Sequence, residues 1–569
     1  MGTLLTYSES PPDKTKALCN ALGCHPVIAS LLWSRGFHSP ESAQFFLNPN
    51  FDQLTNPFKL KDMDIAVDRI YSAIQNKEKI MVFGDFDADG VTATALLHDF
   101  FSRIEADISW YVPHRIKEGY SLQVSHIAMA ADLNVDLIIT VDCGVTSNDA
   151  VLAARDEDMD VIVTDHHEPS DILPDAMAVI DPKQKECTAN LDYLAGVGVA
   201  FYLVMALRKH FRDQGFWDRY EEPNLLDFLD LFALGTIGDM VPLIHENRVL
   251  CMAGIRQIKK GKRPGIHALA QVARVDLGTL DSDDISFKLV PRINAAGRIS
   301  HSRICVSLLT AQSMVEAEKT AQLLDELNQK RQLIEKEIVQ DIEKRIFERP
   351  ALLKNRLLVL WDSSWNPSVL GIAASKLARK YTCPVVLICD GQEPAMGSCR
   401  SINNINIHQA LGEASHLLER FGGHAMASGL ALKKENLPQL VQSLSEHMQA
   451  TYTDEAFEKS MVIDTQLVIE DMNYELALQL NRLRPFGTAN PEPIFLASNL
   501  KVISSYLLGG LHRKMILQHP DSPGGATVEA LHFNLPDPNY LPDHYEQLAF
   551  RLKINKFKAK SAQIIIEDL

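Results

Sequence analysis

What most constrains the fold is a series of short, β-branched, uncharged runs that begins near Lys79: IMVF at 80–83, ISWYV at 108–112, LIITV at 137–141 and VIVT at 161–164, separated by amphipathic stretches such as VTATALLHDFFSRI. Strands alternating with helix-length segments build βαβ units, and so a parallel sheet covered by helices on both faces. Each run is apolar throughout, as strands buried on both faces require. The first charged residue beyond a run therefore marks the carboxyl end of its strand, and in three cases it is an aspartate: Asp85, Asp142 and Asp165. Open α/β sheets place their ligands at that edge.

The densest of these ends is Gly84-Asp85-Phe86-Asp87-Ala88-Asp89-Gly90, with carboxylates at alternate positions of a strand-to-helix turn. Negative charges so close together are costly unless cations neutralise them. A calcium-binding EF-hand loop also starts Asp-x-Asp-x-Asp-Gly, but its twelfth position, which needs a bidentate glutamate, is Leu96 here. Capping of the following helix accounts for one or two of the aspartates but not all three. Two more acidic strand ends, Thr140-Val141-Asp142-Cys143-Gly144 and Thr164-Asp165-His166-His167, and a later Gly238-Asp239-Met240 complete a set of carboxylates with one or two imidazoles. Such a set favours manganese or magnesium over thiolate-bound zinc. Two such ions, bridged by one carboxylate, activate water and stabilise the entering and leaving oxygens at phosphorus.

At 569 residues the chain is too long for one core. Residues 1–60 read as a helical segment packing on the first α/β domain, which spans 61–310. Residues 311–350 hold no glycine and, before Pro350, no proline, and read as one long connecting helix. A smaller α/β domain follows at 351–450, with a glycine-rich turn at Phe421-Gly422-Gly423-His424, and residues 455–569 read as a small β-barrel of OB type. The net charge of −17 sits poorly with nucleic-acid binding, although RQIKKGKR (256–263) and RLKINKFKAK (551–560) are locally basic. Nine scattered cysteines without a Cys-x-x-Cys pair fit a reducing cytoplasm, and no signal-like or membrane-spanning apolar stretch stands out.

DFDADG, VDCG, TDHH and TIGDMVPL occur in the order and at roughly the spacing of the motifs of the DHH phosphoesterases, and the chain resembles that family. PRINAAGR (291–298), LDELNQKR (324–331), GSCRS (397–401), FGGHAMASG (421–429) and RPFGTANPEPIF (484–495) are similar to its single-stranded-DNA exonucleases in particular. The resemblance implies a doubly wound DHH domain, a bridging helix, a DHH-associated domain and an OB-like barrel. It implies removal of 5′-mononucleotides from the 5′ end of single-stranded DNA, in recombination and repair, with two divalent cations, manganese ahead of magnesium. By the same resemblance Asp87, Asp89, Asp142, His166 and Asp239 are metal ligands with Asp142 as the bridge, Asp85 supports them, and His167 lies beside the scissile phosphate. Arg115, Arg292, Ser398, Arg400 and His424 match substrate-contacting positions, Ser398 and Arg400 those that meet the 5′-terminal phosphate. Phe486, His512, Lys514 and Phe557 are available in the barrel for stacking or phosphate contact, although aromatic residues of small barrels are commonly core. The family precedent also suggests a cytoplasmic monomer that works with a single-strand DNA-binding protein and a RecQ-type helicase.

Two positions depart from the family pattern. Trp365-Asn366-Pro367-Ser368 stands where Trp-His-Pro-Gly is usual, and Ile299-Ser300-His301-Ser302 replaces acidic or small residues after Arg298. Other readings are an oligoribonuclease or small-nucleotide phosphodiesterase of the same superfamily, or a non-catalytic replication scaffold. The first two need neither a long bridging helix nor a barrel. The scaffold has no use for the full set of acidic and imidazole residues.

Overall fold

In the computed structural model the first α/β domain is built on an all-parallel five-stranded sheet, ordered Ile108–Tyr111, Ile80–Gly84, Leu137–Val141, Asp160–Thr164, Ala178–Ile180. The structure describes residues 3–521, 525–535, 537, 540–555 and 558–568. The central strands Ile80–Gly84 and Leu137–Val141 are fully buried, which explains their unbroken apolar sequence. In chain order the strands run 2-1-3-4-5 across the sheet, so the order reverses between Ile80–Gly84 and Leu137–Val141. Asp85 and Asp142 follow those two strands and stand at that switch point.

Helix Met314–Glu348 runs for 35 residues, about 50 Å. Ser313 starts it by accepting the Glu316 N–H at 3.3 Å. Its first turns put Ala317, Ala321 and Leu324 into the core of the first domain. Its last turns put Ile338, Val339, Ile342 and Ile346 against the smaller α/β domain. That domain carries a mixed five-stranded sheet ordered Leu418–His424, Ala427–Leu432, Ala395–Arg400, Val385–Cys389, Leu358–Trp361. The expected glycine-rich turn at 421–424 is instead the end of strand Leu418–His424, because Phe421, Gly422 and Gly423 pair with Leu430, Gly429 and Ser428.

The last domain is a closed five-stranded barrel, with Phe495–Leu508 also pairing His544–Ile554 to complete the circuit and the short strand Thr465–Gln466 added beside Phe495–Leu508. The expectation that residues 1–60 pack on the first domain holds in part: Arg248 donates to the Phe46 carbonyl at 2.9 Å and Thr55 bonds Glu246 at 2.8 Å, but most of the apolar surface turns to the barrel. Leu18, Ile28, Leu31, Leu32 and Phe46 share one core with Leu476, Leu480, Phe495 and Phe550 of the barrel. Strand Leu4–Tyr7 pairs in parallel with Ser460–Ile463, and only Leu54, Phe58 and Leu60 reach the first core. The helices Pro12–Leu22, Pro26–Ser34 and Pro40–Leu47 are too short to bury their apolar faces alone, and the barrel covers them. Among the described residues no single helix is long and apolar enough to cross a membrane.

Candidate metal centre and phosphate pocket

Four segments deliver the acidic centre. Asp85 leaves strand Ile80–Gly84, and Asp87 caps helix Ala88–Arg103 by accepting the N–H groups of Asp89 (3.0 Å) and Gly90 (3.3 Å). Asp89, in the first turn of that helix, accepts the N–H groups of Gly196 (2.6 Å) and Val197 (2.8 Å) at the start of helix Gly196–Asp213. Asp142 follows strand Leu137–Val141 with φ +61°, and Asp239 ends helix Leu229–Gly238. His166 completes the set from the end of strand Asp160–Thr164. Its Nε2 lies 3.1 Å from Asp142, 3.7 Å from Asp89 and 3.7 Å from Asp239. Gly196 allows this closeness, since a Cβ there would lie 2.5 Å from that of Asp142.

Burial pushes the Asp142 carboxyl well above its usual range, and Asp89 and Asp87 push the same way. Burial and Asp87 lift Asp89 to about 7, and burial with Asp89 lifts Asp239 to about 8. Burial holds the His166 imidazole down at about 3, so it is neutral and presents a lone pair. Asp85 Oδ1, Asp142 Oδ1 and His166 Nε2 are buried with no hydrogen-bond partner. Three ligand sets have their donor atoms within 4.8 Å of one another: Asp85, Asp87 and Asp142; Asp142, His166 and His167; Asp89, His166 and Asp239. Oxygen donors, a neutral imidazole and orphaned buried atoms match what hard divalent cations need. Asp142 belongs to two of the sets, the position of a shared ligand.

Asp165, which the sequence places at a strand end without indicating a role, supports this cluster. It is 1% exposed and accepts from the backbone of Val145 (3.0 Å), His166 (2.8 Å) and His167 (3.2 Å) and pairs with His167 Nδ1 at 2.8 Å. Burial disfavours a charged His167, but Asp165 and the nearby Asp239 and Asp85 override it and raise the imidazole to about 9. The Tyr120 hydroxyl lies 3.2 Å from the same ring.

Beside the carboxylates is a cationic pocket. Arg115 lies over the Phe86 ring at 4.7 Å, within the field of Asp85 and Asp87. Ser398 and Arg400 share one face of strand Ala395–Arg400, and their side chains meet at 3.0 Å. Arg298 donates to the Ser368 carbonyl at 2.6 Å, and burial together with Arg115, Arg400 and Arg331 holds it down at about 9. Guanidiniums that repel one another while partly desolvated make a receptor for a doubly charged anion. Gly371 leaves room for it, since a Cβ there would lie 2.7 Å from Arg400 Nη2 and 2.9 Å from Ser398 Oγ.

Several expected contacts are elsewhere. Arg292 bonds Asp325 at 2.8 Å and the Lys288 carbonyl at 2.6 Å, while Arg298, six residues on, lies within the field of Arg115 and Arg400. Asn294 of the same helix instead accepts the Ala88 N–H at 2.8 Å, fixing the acidic turn. His424 is exposed opposite Ala427, whose other neighbour is Arg400. Asn366, where the family has histidine, caps helix Pro367–Tyr381 through the Ser368 N–H at 2.9 Å. In the barrel Phe486 is 7% exposed and belongs to the core, so it offers no stacking face. Lys514 pairs with Glu529 at 2.9 Å, His512 accepts the Asn534 N–H at 2.9 Å, and Phe557 lies outside the described residues. Three members of the basic runs are held in ion pairs: Arg263 with Asp99 and Asp230, Arg551 with Glu492 and Glu567, and Lys553 with Glu492.

Family models match the chain in the same order: the DHH family N-terminal domain over residues 79–236, the DHHA1 domain over 354–450 and the RecJ OB domain over 463–568. The single-stranded-DNA-specific exonuclease RecJ of Escherichia coli is 36% identical over 96% of this chain and 96% of its own length. The chain belongs to the RecJ family. RecJ of Bacillus subtilis is 35% identical over 98% of this chain and 69% of the relative. Among solved structures, RecJ of Thermus thermophilus in complex with Mn²⁺ superposes with a TM-score of 0.83 at 27% identity, covering 100% of this chain and 79% of that one. A second structure of the Thermus RecJ is in complex with Mg²⁺, with a TM-score of 0.75 at 26% identity, covering 100% and 78%. RecJ architecture thus extends over the whole described chain, barrel and bridging helix included.

Proposed function

We propose that this chain, a single-stranded-DNA-specific exonuclease, works from the 5′ end and releases 5′-mononucleotides. The observation that carries the reading is the adjacency of a carboxylate–imidazole centre and a pocket of three arginines, with Arg115 within the field of both Asp85 and Arg400. Asp87, Asp89, Asp142, His166 and Asp239 would hold two divalent cations, manganese or magnesium, with Asp142 shared between them and Asp85 in support. When bound, these cations supply Lewis-acid stabilisation at phosphorus and acidify the attacking water. His167, kept protonated near neutral pH by Asp165, donates to a phosphate oxygen on which charge develops. Arg115, Arg298, Ser398 and Arg400 grip the 5′-terminal phosphate, which fixes the strand without reading its sequence. A strand held by its terminal phosphate presents its first internal phosphodiester to the centre, which gives the 5′ to 3′ polarity. His424, on the adjacent strand, borders the path of the terminal nucleotide.

In the cell we place the enzyme in the cytoplasm as a monomer, in recombination and repair. A single-strand DNA-binding protein and a RecQ-type helicase would supply its substrate. The test is digestion of 5′- and 3′-labelled single strands and duplexes with manganese, with magnesium and with chelator. Mononucleotide release from the 5′ label of the single strand alone, lost with chelator, is the expected result. Attack from the 3′ label, or equal digestion of blunt duplex, overturns the proposal.

A further inference from the structure

Asp239 is followed by Met240, whose side chain is 69% exposed and whose backbone is left-handed at φ +62°. A long apolar residue in that conformation, held out in water, is disfavoured twice over. Phe287, 75% exposed, lines the same cleft. It sits at the centre of one π-helical turn, Ile285–Leu289, in which the Val290 N–H reaches back to the Ile285 carbonyl. The extra residue of a π turn rotates its side chains out of register, and such turns recur at functional positions. Here Ile285 and Leu289 remain in the core at 0% exposure while Phe287 points outward.

Both residues stand on rigid supports. Gly238 is wedged so closely that a Cβ would lie 3.0 Å from Ala88 and 3.2 Å from Val290, joining the acidic turn, the end of helix Leu229–Gly238 and the end of the π turn. The barrel closes the far side, with the Leu243 N–H bonded to the Thr488 carbonyl at 2.9 Å and the Ser282 hydroxyl to that of Phe486 at 2.8 Å. The resulting cleft, about 230 Å³, is apolar along Ile237, Met240, Leu243 and Phe287 and polar along Asp283, Thr488 and the Glu492–Arg551 ion pair. It adjoins the metal centre along the chain, since Met240 directly follows Asp239. An occupant must have flat apolar faces with polar edges and must already lie beside the centre. A nucleobase of the substrate strand meets both conditions.

We propose that Phe287 and Met240 form a stacking clamp, at the junction of the first domain and the barrel, that grips a nucleobase of the single strand entering the metal centre. The ring and the polarizable thioether hold any base, so the clamp adds affinity without sequence preference. The inference rests on the nuclease reading and names how its site holds the body of the strand, as distinct from the 5′ phosphate.

The test compares the full-length protein with Phe287→Ala, Met240→Ala and Phe287→Trp, on one oligonucleotide and on a version that is abasic after its first nucleotide. From the usual value of base stacking, Phe287→Ala should raise KM on the normal strand roughly five- to a hundredfold. Its kcat should stay within about twofold of wild type, and Phe287→Trp should restore KM. On the abasic strand the wild type should lose affinity to a similar extent, leaving no difference between it and Phe287→Ala. A penalty of equal size on both strands would mark a structural role and overturn the clamp, as would an unchanged KM. Anisotropy titration of the same strands with labelled 3′ ends reads the ratio without turnover. A wild type that binds but never cuts therefore sinks the nuclease reading while the stacking ratio is still measured, and one that neither binds nor cuts sinks both.

Discussion

The sharpest consequence of the geometry concerns one methyl group at Gly371. In Gly371→Ala the new Cβ would fall 2.7 Å from Arg400 Nη2 and 2.9 Å from Ser398 Oγ, where ordinary contacts begin at 3.4 Å. The guanidinium is the end of a long side chain and yields more readily than the packed helix, so it should retreat by about 0.7 Å. Charge-assisted N–H···O bonds are confined to about 2.7–2.9 Å, and each is worth about 1.5–3 kcal/mol. Losing one should cut the preference for a 5′-phosphorylated end by roughly ten- to a hundredfold. Folding should not suffer, because replacing glycine inside helix Pro367–Tyr381 removes about 0.5–1 kcal/mol of backbone entropy cost. The assay is the ratio of kcat/KM for 5′-phosphate and 5′-hydroxyl oligonucleotides of one sequence, beside a urea melt and an Arg400→Ala reference. Expected is a ratio that falls toward that of Arg400→Ala while the melting midpoint holds or rises. A folded variant with the wild-type ratio would refute the reading of Ser398 and Arg400 as the receptor for the terminal phosphate.

Removing Asp142 separates metal binding from folding. Asp142→Ala relieves a buried carboxyl crowded by Asp89 and Asp87, so the metal-free variant should melt above metal-free wild type. Manganese at about a hundred times its Kd adds about 2.7 kcal/mol to the wild type, and calorimetry should show most of that rise missing from the variant. An equal manganese shift in both would remove Asp142 from the ligand set. Arg263→Met tests a purely structural site: the guanidinium bonds Asp230 at 2.8 Å and Asp99 at 3.2 Å, and its loss leaves the buried Asp230 without its cation and Asp99 with Arg103 alone. Urea unfolding should report a loss of about 3–5 kcal/mol, and a loss under about 1 kcal/mol would show that solvent already screens the cluster.

The parallel sheet and its acidic edge were legible because strands buried on both faces carry no polar residue, so the first carboxylate announces where each strand ends. Asp85, Asp142 and His166 come together for that reason, from positions up to 81 residues apart. The part played by Asp165 was harder to read, since nothing local separates an acid that binds a cation from one that orients the imidazole two residues later. The arginines were less legible still. PRINAAGR contains two, and only the helix phase against the long connecting helix decides that Arg292 meets Asp325 while Arg298 turns toward Arg115 and Arg400. For Phe486 the sequence leaves stacking and core open, and packing decides for core, with its carbonyl accepting the Ser282 hydroxyl at 2.8 Å. The packing of residues 1–60 leaves no periodic trace, because its partners come from the far end of the sequence.

That last arrangement bears on how the protein is made. His25 bonds Gln479 across a separation of 454 positions, and among the described residues the core that buries the opening helices is completed by the last domain. At ribosomal speeds of about 5–20 residues per second they must wait roughly half a minute or longer for it. During that interval Leu31, Leu32 and Phe46 remain open to aggregation or to a chaperone, and synthesis of the final hundred residues ends the exposure.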